Sequence, residues 1–436
     1  MLKRLFLLLF LCLSTAPAFA QIPPPALLTP EEAVRIALEN NFDIRLVRGD
    51  AEIARLNNTR ANAGMLPTVN LVANENFTLS AFQQKLANGN EFNAIGAPFN
   101  AVNAGVQLNW TLFDGQRMVI AKNRLEALEA LGQINLQAAI EQTSANVLLA
   151  YYDIVRSRLL ERSTQEIISL NEERLRIAEA RLAAGFAAQT DALQARIDLN
   201  QQRSNLLTQQ TATSTAMHSL NLWLARPPET AFEVVETLEN TYSPDRSRLL
   251  EQMLAQNPQL LALRKNADIA ALTVDETRTL NKPRITGISQ FNVQRTDNGA
   301  GFLLNNTQTG FVIGGSLVLP LYTGGNIRRQ VDVARVAAEQ AAVRADAQRL
   351  AIETELDNQL AFFHTQQKVL TLEADNARNA RESLSVSTER FRLGQTNALE
   401  VQSAQNALEQ TLLRQNVVLY NLKTAELRLQ LLAGEL

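Results

Sequence analysis

The sequence of 436 residues predicts a membrane β-barrel that continues into a long α-helical coiled-coil barrel, built from a duplicated chain. Three observations indicate this fold class. A set of short motifs recurs once along the chain. Segments of alternating polarity precede two long helical segments, and neither helical segment contains a proline. Each chain is therefore expected to hold two strand pairs and two long helical hairpins.

The duplication appears as motif pairs at a nearly constant offset. The Leu-Phe-Asp-Gly motif at 112–115 recurs as Leu-Tyr-Thr-Gly at 321–324, an offset of 209 positions. Upstream the offset is 216, as between Leu66 and Lys282, because the second copy has a shorter loop. Solenoid repeats are much shorter, at about 20–50 residues. We expect a signal peptide over 1–20, a first structural repeat over 21–226, an insert over 227–246 and a second repeat over 247–436.

The first twenty residues have the pattern of a secretory signal peptide. Lys3 and Arg4 give a basic start, an apolar run follows over 5–13, and a small-x-small cleavage site ends at Ala20. We expect cleavage after Ala20. Cys12 lies in a poor context for lipidation, and it is the single cysteine of the chain. The mature protein can therefore form neither disulfides nor a thiolate metal site.

The first repeat begins with a helical pattern. Pro30 stands at the first helical position behind a candidate cap, and acids occupy the first turn. The helix is predicted to run to about Ala63, with a break near 40–41, and to stop at Gly64. From there the apolar pattern changes to a period of two, which is typical of a strand.

The clearest strand runs over 106–112, where apolar and small polar residues alternate at every position. Its polar face carries Gln107 and Asn109 and no charge, which suits a water-filled lumen. We expect Val106, Leu108 and Trp110 on the lipid face. A weaker strand over 69–79 would be its partner, with a loop of about 25 residues between them, rich in Asn, Gly and Ala.

The second repeat carries the same strand pattern over 285–293, followed by a strand with Leu317 and Leu319 on its lipid face. Each strand is predicted to have roughly ten residues, which is the length that a tilted transmembrane strand requires. No segment after the signal peptide has twenty uninterrupted apolar residues. Any membrane crossing would therefore use strands.

Long helices are predicted over 116–184 and 326–393. The first would be about 100 Å long at 1.5 Å per residue. Apolar residues at intervals of seven indicate coiled-coil packing in patches. Two shorter helices, over 42–63 and 190–225, would together match the length of one long helix if they stacked end to end, with the turn at Gly185 at the far end.

Four strands in one chain cannot close a barrel. Bacterial barrels begin at eight strands, and an open sheet edge is not tolerated in hydrocarbon. We therefore expect several chains to pool their strands. Two copies would give eight strands, and three would give twelve.

These features resemble those of the TolC-type outer-membrane efflux family over essentially the whole mature length. The motifs that carry the resemblance are the junctions at 114–115 and 323–325, the turn pattern at 390–394 with 399–401, and its echo at 185 and 190–191. Two departures are visible. Arg226 stands where the family often has glycine, and no C-terminal extension follows Leu436.

The resemblance implies a homotrimer with a twelve-stranded barrel in the outer membrane of a Gram-negative bacterium. It also implies a helical tunnel that extends into the periplasm. The expected partners are a periplasmic adaptor (membrane fusion protein), an inner-membrane transporter and outer-membrane lipid. The function implied is the passive exit duct of a tripartite efflux pump for drugs, metals or other small molecules.

Two acids stand at equivalent places, six residues after a turn glycine: Asp191 after Gly185 and Glu400 after Gly394. In the simplest interpretation they offset a helix dipole, an effect worth about 0.3–1 kcal/mol. By resemblance, the second acid lines the periplasmic gate, where three carboxylates around one axis would select cations. Ser403 occupies the pore-lining position at which well-studied members carry another acid.

Arg181 and Arg390 precede the turn glycines and are candidates for ion pairs that hold the gate closed; the alternative is a solvated cation in a last helical turn. The resemblance assigns adaptor contact to the turn residues. These are Gly185, Phe186, Gly394 and Gln395.

No catalytic site is predicted. His218 and His364 lack metal ligands at a suitable spacing, and no phosphate loop, nucleophile elbow or metal motif occurs. We expect no enzyme activity and no cofactor. The formal net charge of −3 is not concentrated in any long stretch, so nucleic-acid binding is not expected.

Two other functions remain open. The exit duct of a type I protein secretion system would have the same architecture, and the sequence does not separate it from an efflux duct, because the inner-membrane partner decides between the two. A pore-less periplasmic coiled-coil adaptor or scaffold would carry one long hairpin, whereas this sequence has two, each preceded by strands of membrane length.

Overall fold

The structure is a computed structural model that describes residues 26–238, 241–301 and 303–436. The expected signal peptide and Cys12 lie outside these residues. The chain divides into two compact units. The first, which we call the hairpin unit, takes the described residues up to Glu39, Asn146–Thr241 and Gln366–Thr424. The second, the sheet unit, takes Asn40–Ala145, Tyr242–Thr365 and Ala425–Leu436.

The sheet unit contains one antiparallel sheet of four strands. Its strands are β2 (Thr68–Lys85), β3 (Glu91–Phe113), β5 (Arg284–Asn298) and β6 (Asn305–Val318). They lie in the order β2-β3-β5-β6, so β2 and β6 are the two edges. The predicted strand pair of each repeat is present, and β3 joins β5 at the centre of the sheet.

The strand lengths correct two predictions. The expected loop of about 25 residues is wrong, because β2 and β3 stay paired from Thr68 and Asn109 to Lys85 and Glu91. The expected strand length of about ten residues is also wrong, since β2 has 18 residues and β3 has 23. Backbone pairing along this long hairpin overrides the weak strand propensity of Asn, Gly and Ala.

Eight α-helices occur among the described residues. They are α1 (Pro30–Asn40), α2 (Phe42–Asn57), α3 (Arg117–Ala183), α4 (Gln189–Trp223), α5 (Arg246–Gln256), α6 (Pro258–Arg278), α7 (Asn326–Arg392) and α8 (Ala398–Ala433). None of these helices has both the length and the apolarity that a bilayer crossing needs. The helices α3 and α7 have 67 residues each and contribute to both units.

The predicted break near 40–41 is confirmed. The Asn41 side chain accepts a hydrogen bond of 2.9 Å from the Asp43 backbone and so caps α2. The predicted end near Ala63 is wrong, because α2 stops at Asn57. Beyond it, the Thr59 hydroxyl accepts a hydrogen bond from the backbone N–H of Asn62. Such local side-chain bonds compete with the helix and favour a turn.

The hairpin unit contains a small parallel sheet that the sequence did not indicate. The strand β1 (Ala26–Leu28) pairs with β4 (Phe232–Val234), which lies in the segment predicted to be a non-periodic insert. Three residues are too few to show a period. The Tyr151 hydroxyl donates to the Leu28 carbonyl and accepts from the Val235 N–H, both at 2.9 Å. A core that includes Tyr151, Leu220 and Phe232 surrounds this sheet.

Candidate functional site

The two long hairpins turn in the same way. Gly185 has a φ of +77° and Gly394 a φ of +76°, a conformation that glycine adopts without strain. In the first turn, Phe186 N–H donates to the Arg181 carbonyl at 2.8 Å, and Gly185 N–H donates to Leu182 at 3.0 Å. This pair of bonds is the Schellman ending of a helix.

The second turn repeats both bonds. The Gln395 N–H donates to the Arg390 carbonyl at 2.8 Å, and the Gly394 N–H donates to Phe391 at 3.1 Å. The four turn residues named from the sequence therefore lie at the tips of two equivalent hairpins. All four are exposed, and Phe186 is 76% exposed.

Glu400 is held by its own hairpin. Arg390 Nη1 lies 2.7 Å from Glu400 Oε1, and the Thr396 hydroxyl donates to the same carboxylate. The Glu400 N–H also donates to the Asn397 side chain at 3.0 Å, which caps the start of α8. The expected partnership of Arg390 with an acid is thus present within one chain, and both side chains of the pair remain half-exposed.

Arg181 has a different environment. Its Nη1 donates to the Phe391 carbonyl at 2.6 Å, and its guanidinium lies 4.6 Å from the centre of the Phe391 ring. Its Nη2 donates to the Phe186 carbonyl at 3.2 Å. Within the described part of the chain Arg181 forms no ion pair, so it joins the two hairpins through a carbonyl and an aromatic ring.

Asp191 lines a cavity of about 240 Å³ between the hairpins. The same cavity is lined by Arg174 and Asp198, which form an ion pair. Asp198 also accepts hydrogen bonds from Gln194 at 2.8 Å and from Gln402 at 2.9 Å. This carboxylate therefore connects α3, α4 and α8 in the hairpin unit.

The contacts that Asp198 makes with Arg174, Gln194 and Gln402 were not predicted from the sequence. Arg174 is only 5% exposed, and a buried charge of this kind is stable only with a close partner. The partner acid stands 24 positions away, and no short motif relates the two. Gln402 on α8 contacts the first hairpin through Asp198, and its neighbour Ser403, named from the sequence as a pore-lining position, is exposed.

The sheet exposes its apolar face. Cross-strand partners place Leu71, Val106, Phe291 and Phe311 in one row across all four strands. Leu71 is 80% exposed and Val106 is 44% exposed. Soluble proteins rarely expose a continuous apolar patch of this kind, whereas a strand that faces hydrocarbon must do so.

Of the other residues predicted for the lipid face, Leu108 and Trp110 share the Val106 face of β3, and Leu317 shares the Phe311 face of β6. Trp110 is exposed, and its indole N–H donates to the Met65 carbonyl at 3.1 Å, while Leu108 is half-buried. Leu317 is exposed on β6, and Leu319 lies just beyond the end of that strand. On the opposite face the uncharged Gln107 side chain donates to Asn109 at 3.3 Å.

A sheet with one exposed apolar face, together with two long helical hairpins that share one turn geometry, defines the class of outer-membrane efflux channels. The model of the outer membrane efflux protein family matches residues 33–226 and 249–435, and the chain belongs to this family. Proteins of this class are transport channels rather than enzymes.

Individual relatives agree with this assignment. The outer membrane efflux protein BepC of Brucella suis biovar 1 (strain 1330) is 25% identical over 323 residues, which cover 70% of this chain and 66% of BepC. The outer membrane protein TolC of Escherichia coli (strain K12) is 24% identical over 305 residues, covering 68% and 60%. The chain thus spans slightly less than two thirds of the length of these relatives.

The fold is that of solved channels. The outer membrane protein VceC of Vibrio cholerae superposes with a TM-score of 0.77 at 17% identity, over 93% of this chain and 96% of that chain. Similarity at this level shows that the two proteins share a helical body and a β domain.

Proposed function

We propose that this chain forms the passive exit duct of a tripartite efflux pump. It would carry drugs, metals or other small molecules from the periplasm or an inner-membrane transporter to the outside. The observation that carries this proposal is the four-stranded sheet, which combines an exposed apolar face with two unpaired edge strands. Membership of the outer membrane efflux family and the two long hairpins support it.

We propose a homotrimer whose twelve pooled strands close one barrel. The edges β2 and β6 have unpaired backbone groups, which hydrocarbon does not tolerate. In the same unit Val336, Val343 and Leu350 are exposed on α7 at intervals of seven, as at the seam of a coiled coil. An apolar row on α2 has the same spacing, with Leu46 and Ile53 exposed. These rows suit contacts with neighbouring chains.

The remaining parts of the proposal concern placement. The signal peptide would be removed after Ala20, and the first repeat (21–226) and second repeat (247–436) would flank the insert 227–246. The barrel would lie in outer-membrane lipid, and the helices would extend into the periplasm. There the turns at Gly185 and Gly394 would contact a periplasmic adaptor that is joined to an inner-membrane transporter.

The gate is part of the same proposal. Glu400 would contribute three carboxylates near the periplasmic mouth, with Asp191 and Ser403 also lining the pore. Arg390 would hold Glu400 within each hairpin, and Arg181 would hold the two hairpins of one chain together. Half-exposure of Glu400 and its position beside a hairpin turn support this arrangement.

The test of the proposed function compares two neighbouring substitutions in a strain that lacks this protein. Plasmid-borne wild type should restore resistance to a panel of drugs, dyes and metal salts. Leu108→Arg should fail, because an arginine that faces hydrocarbon costs about 2–4 kcal/mol near the bilayer midplane. Asn109→Arg, on the polar face, is the matched control and should still assemble.

Assembly is measured as the mass of the detergent-purified protein by light scattering. A stable monomer, or equal tolerance of the two substitutions, would contradict the membrane assignment. If wild type restores no resistance but restores the export of a large secreted protein, the type I secretion duct replaces the efflux duct.

A further inference from the structure

A cavity of about 540 Å³ lies in the sheet unit where the strands meet the helices. Its walls include Thr111 on β3, Arg284 on β5 and Val318 on β6. Arg284 and Val318 are cross-strand partners, and Arg284 precedes Ile285, which faces the apolar side. Since side chains alternate along a strand, the cavity opens on the face opposite the apolar one.

The acids at this cavity already have partners. Both Arg117 and Arg124 bind Glu276, with Nε to carboxylate distances of 3.4 Å and 2.9 Å. The Asp114 carboxylate accepts a hydrogen bond of 3.0 Å from the Met118 N–H at the start of α3. One carboxylate is thus shared by two guanidinium groups, and the other is engaged by a helix end.

Two further cations line the cavity without a partner of opposite charge. Lys282 and Arg284 are exposed, and neither forms an ion pair within the described residues. The four basic side chains therefore exceed the two carboxylates. The Lys282 side chain packs on Gly115, where a Cβ would lie 2.4 Å from Lys282 Cβ, so the glycine lets this lysine approach the start of α3.

These two cations are not required by the fold. At the offset of 216, Lys282 and Arg284 of the second repeat correspond to Leu66 and Thr68 of the first. Both pairs flank a proline that stands between a helical segment and a strand. The junction in the first repeat forms with uncharged residues at both positions. The positive charge in the second repeat is therefore not needed to form the junction.

We propose that this cavity binds anions that carry two or more negative charges, such as a phosphate or pyrophosphate group on a permeating molecule. Arginine and lysine donors bind such groups through charge-assisted hydrogen bonds, and the positive end of α3 adds to the attraction. The ligand reaches the site from the water-filled side of the sheet. The description of the polar side of the sheet as a water-filled lumen rests on the proposed function. The binding of anions in the cavity does not depend on it.

The experiment is a titration of the full chain, reconstituted in phosphatidylcholine nanodiscs, with inorganic pyrophosphate at low ionic strength. Isothermal calorimetry should detect binding that weakens as sodium chloride is added, because salt screens the charges. The double variant Lys282→Gln/Arg284→Gln should bind about tenfold more weakly or worse, since two charge-assisted hydrogen bonds are lost.

The matched control is Arg45→Gln/Arg48→Gln, which removes the same charge from exposed positions on α2 outside the cavity. It should leave the affinity unchanged. Glu276→Gln should change the affinity in the opposite direction, because it frees two guanidinium groups. This variant keeps the proposal testable if the double variant fails to fold.

Three results would overturn the proposal. The first is an absence of pyrophosphate binding to wild type at low salt, and the second is equal weakening in the control variant. The third is binding that disappears in phosphatidylglycerol nanodiscs and persists in phosphatidylcholine, which would assign the site to a lipid headgroup. Loss of drug resistance bears on the proposed function alone, because the titration requires no transport.

Discussion

The turn at Gly185 and the turn at Gly394 close with the same two backbone hydrogen bonds, yet the arginine before each glycine has a different partner. Arg390 binds Glu400 of its own hairpin, whereas Arg181 reaches the Phe391 carbonyl of the other hairpin. The two acids that follow the turns also have different surroundings. Glu400 pairs with Arg390, whereas Asp191 lines a cavity.

The two equivalent arginines therefore have different roles, although the turns that carry them have the same backbone conformation. The second hairpin balances the charge of Glu400 with its own Arg390, and Arg181 of the first hairpin supplies one of the contacts that join the two hairpins. Substitutions in the first hairpin should therefore act on cohesion of the hairpins. Substitutions of the acid and its arginine in the second should act on ion passage.

The largest effect on stability is expected at Phe391, the aromatic residue that Arg181 contacts. Phe391 is buried, whereas its counterpart Leu182 in the first turn is only half-buried. Phe391→Ala should lower the free energy of unfolding by about 3–5 kcal/mol, and Leu182→Ala should cost clearly less because less surface is lost. Denaturant unfolding followed by circular dichroism measures both, and equal losses would remove the distinction between the turns.

The next effect compares the two arginines. Arg181→Ala removes a hydrogen bond from a charged donor to a carbonyl, which is worth about 1.5–3 kcal/mol. Arg390→Ala removes a half-exposed ion pair, which is worth about 0.2–1 kcal/mol. Hydrogen exchange of the amides around residues 181–188 and 391–398 should increase more for Arg181→Ala. Arg181→Lys is the control for charge, and a larger effect at Arg390 would reverse the assignment.

The acids should differ in ion selectivity rather than in stability. In planar bilayers Glu400→Ala should reduce cation preference and block by multivalent cations, because three carboxylates leave the mouth. Arg390→Ala should raise conductance and retain the preference, since it leaves the carboxylates in place. Asp191→Ala tests the weaker candidate. Unchanged selectivity in Glu400→Ala would leave Glu400 as a helix-start acid only.

The smallest effect concerns a third acid, Glu141, which is buried in α3 and serves as a contrast to the exposed Glu400. Burial raises the pKa of Glu141, and the hydrogen bond from Gln137 opposes this only in part. A raised pKa in the folded state means that stability falls as the pH rises through that pKa. Glu141→Gln should therefore stabilise at pH 8 and have no effect at pH 4.

Thermal unfolding at the two pH values measures this effect. A gain for Glu141→Gln that is equal at pH 4 and pH 8 would indicate better packing rather than titration.

The features that could be predicted from the sequence were those set by local chemistry. Asn41 caps a helix, and Gly185 and Gly394 end two others, because each acts within a few residues. The extent of β2 and β3 could not be predicted, since residues 80–85 and 91–105 gain their strand conformation from pairing partners. Pairing is a tertiary property, and local propensity is a weak guide to it.

The same reasoning applies to the candidate site. The position of Glu400 after the turn glycine could be found from spacing, and so could its neighbour Arg390. The partner of Arg181 could not, because the Phe391 carbonyl belongs to the other hairpin and a backbone atom leaves no sequence signal. The contacts of Asp198 with the Arg174 and Gln402 side chains could not be found either, because these residues stand 24 and 204 positions away and no short motif relates them.

The parallel pair β1 and β4 has a consequence for the order of folding. Ala26 meets Phe232 across nearly half of the chain, so β1 is synthesised early and has no partner until the first repeat is complete. Closing so long a loop has a large entropic cost, and contacts of this kind form slowly. The Tyr151 hydroxyl, which bonds to both sides of the pair, can make its two hydrogen bonds only after that closure. The strand β1 is therefore among the last of the described segments to become fixed, and until then it stays accessible to chaperones and proteases.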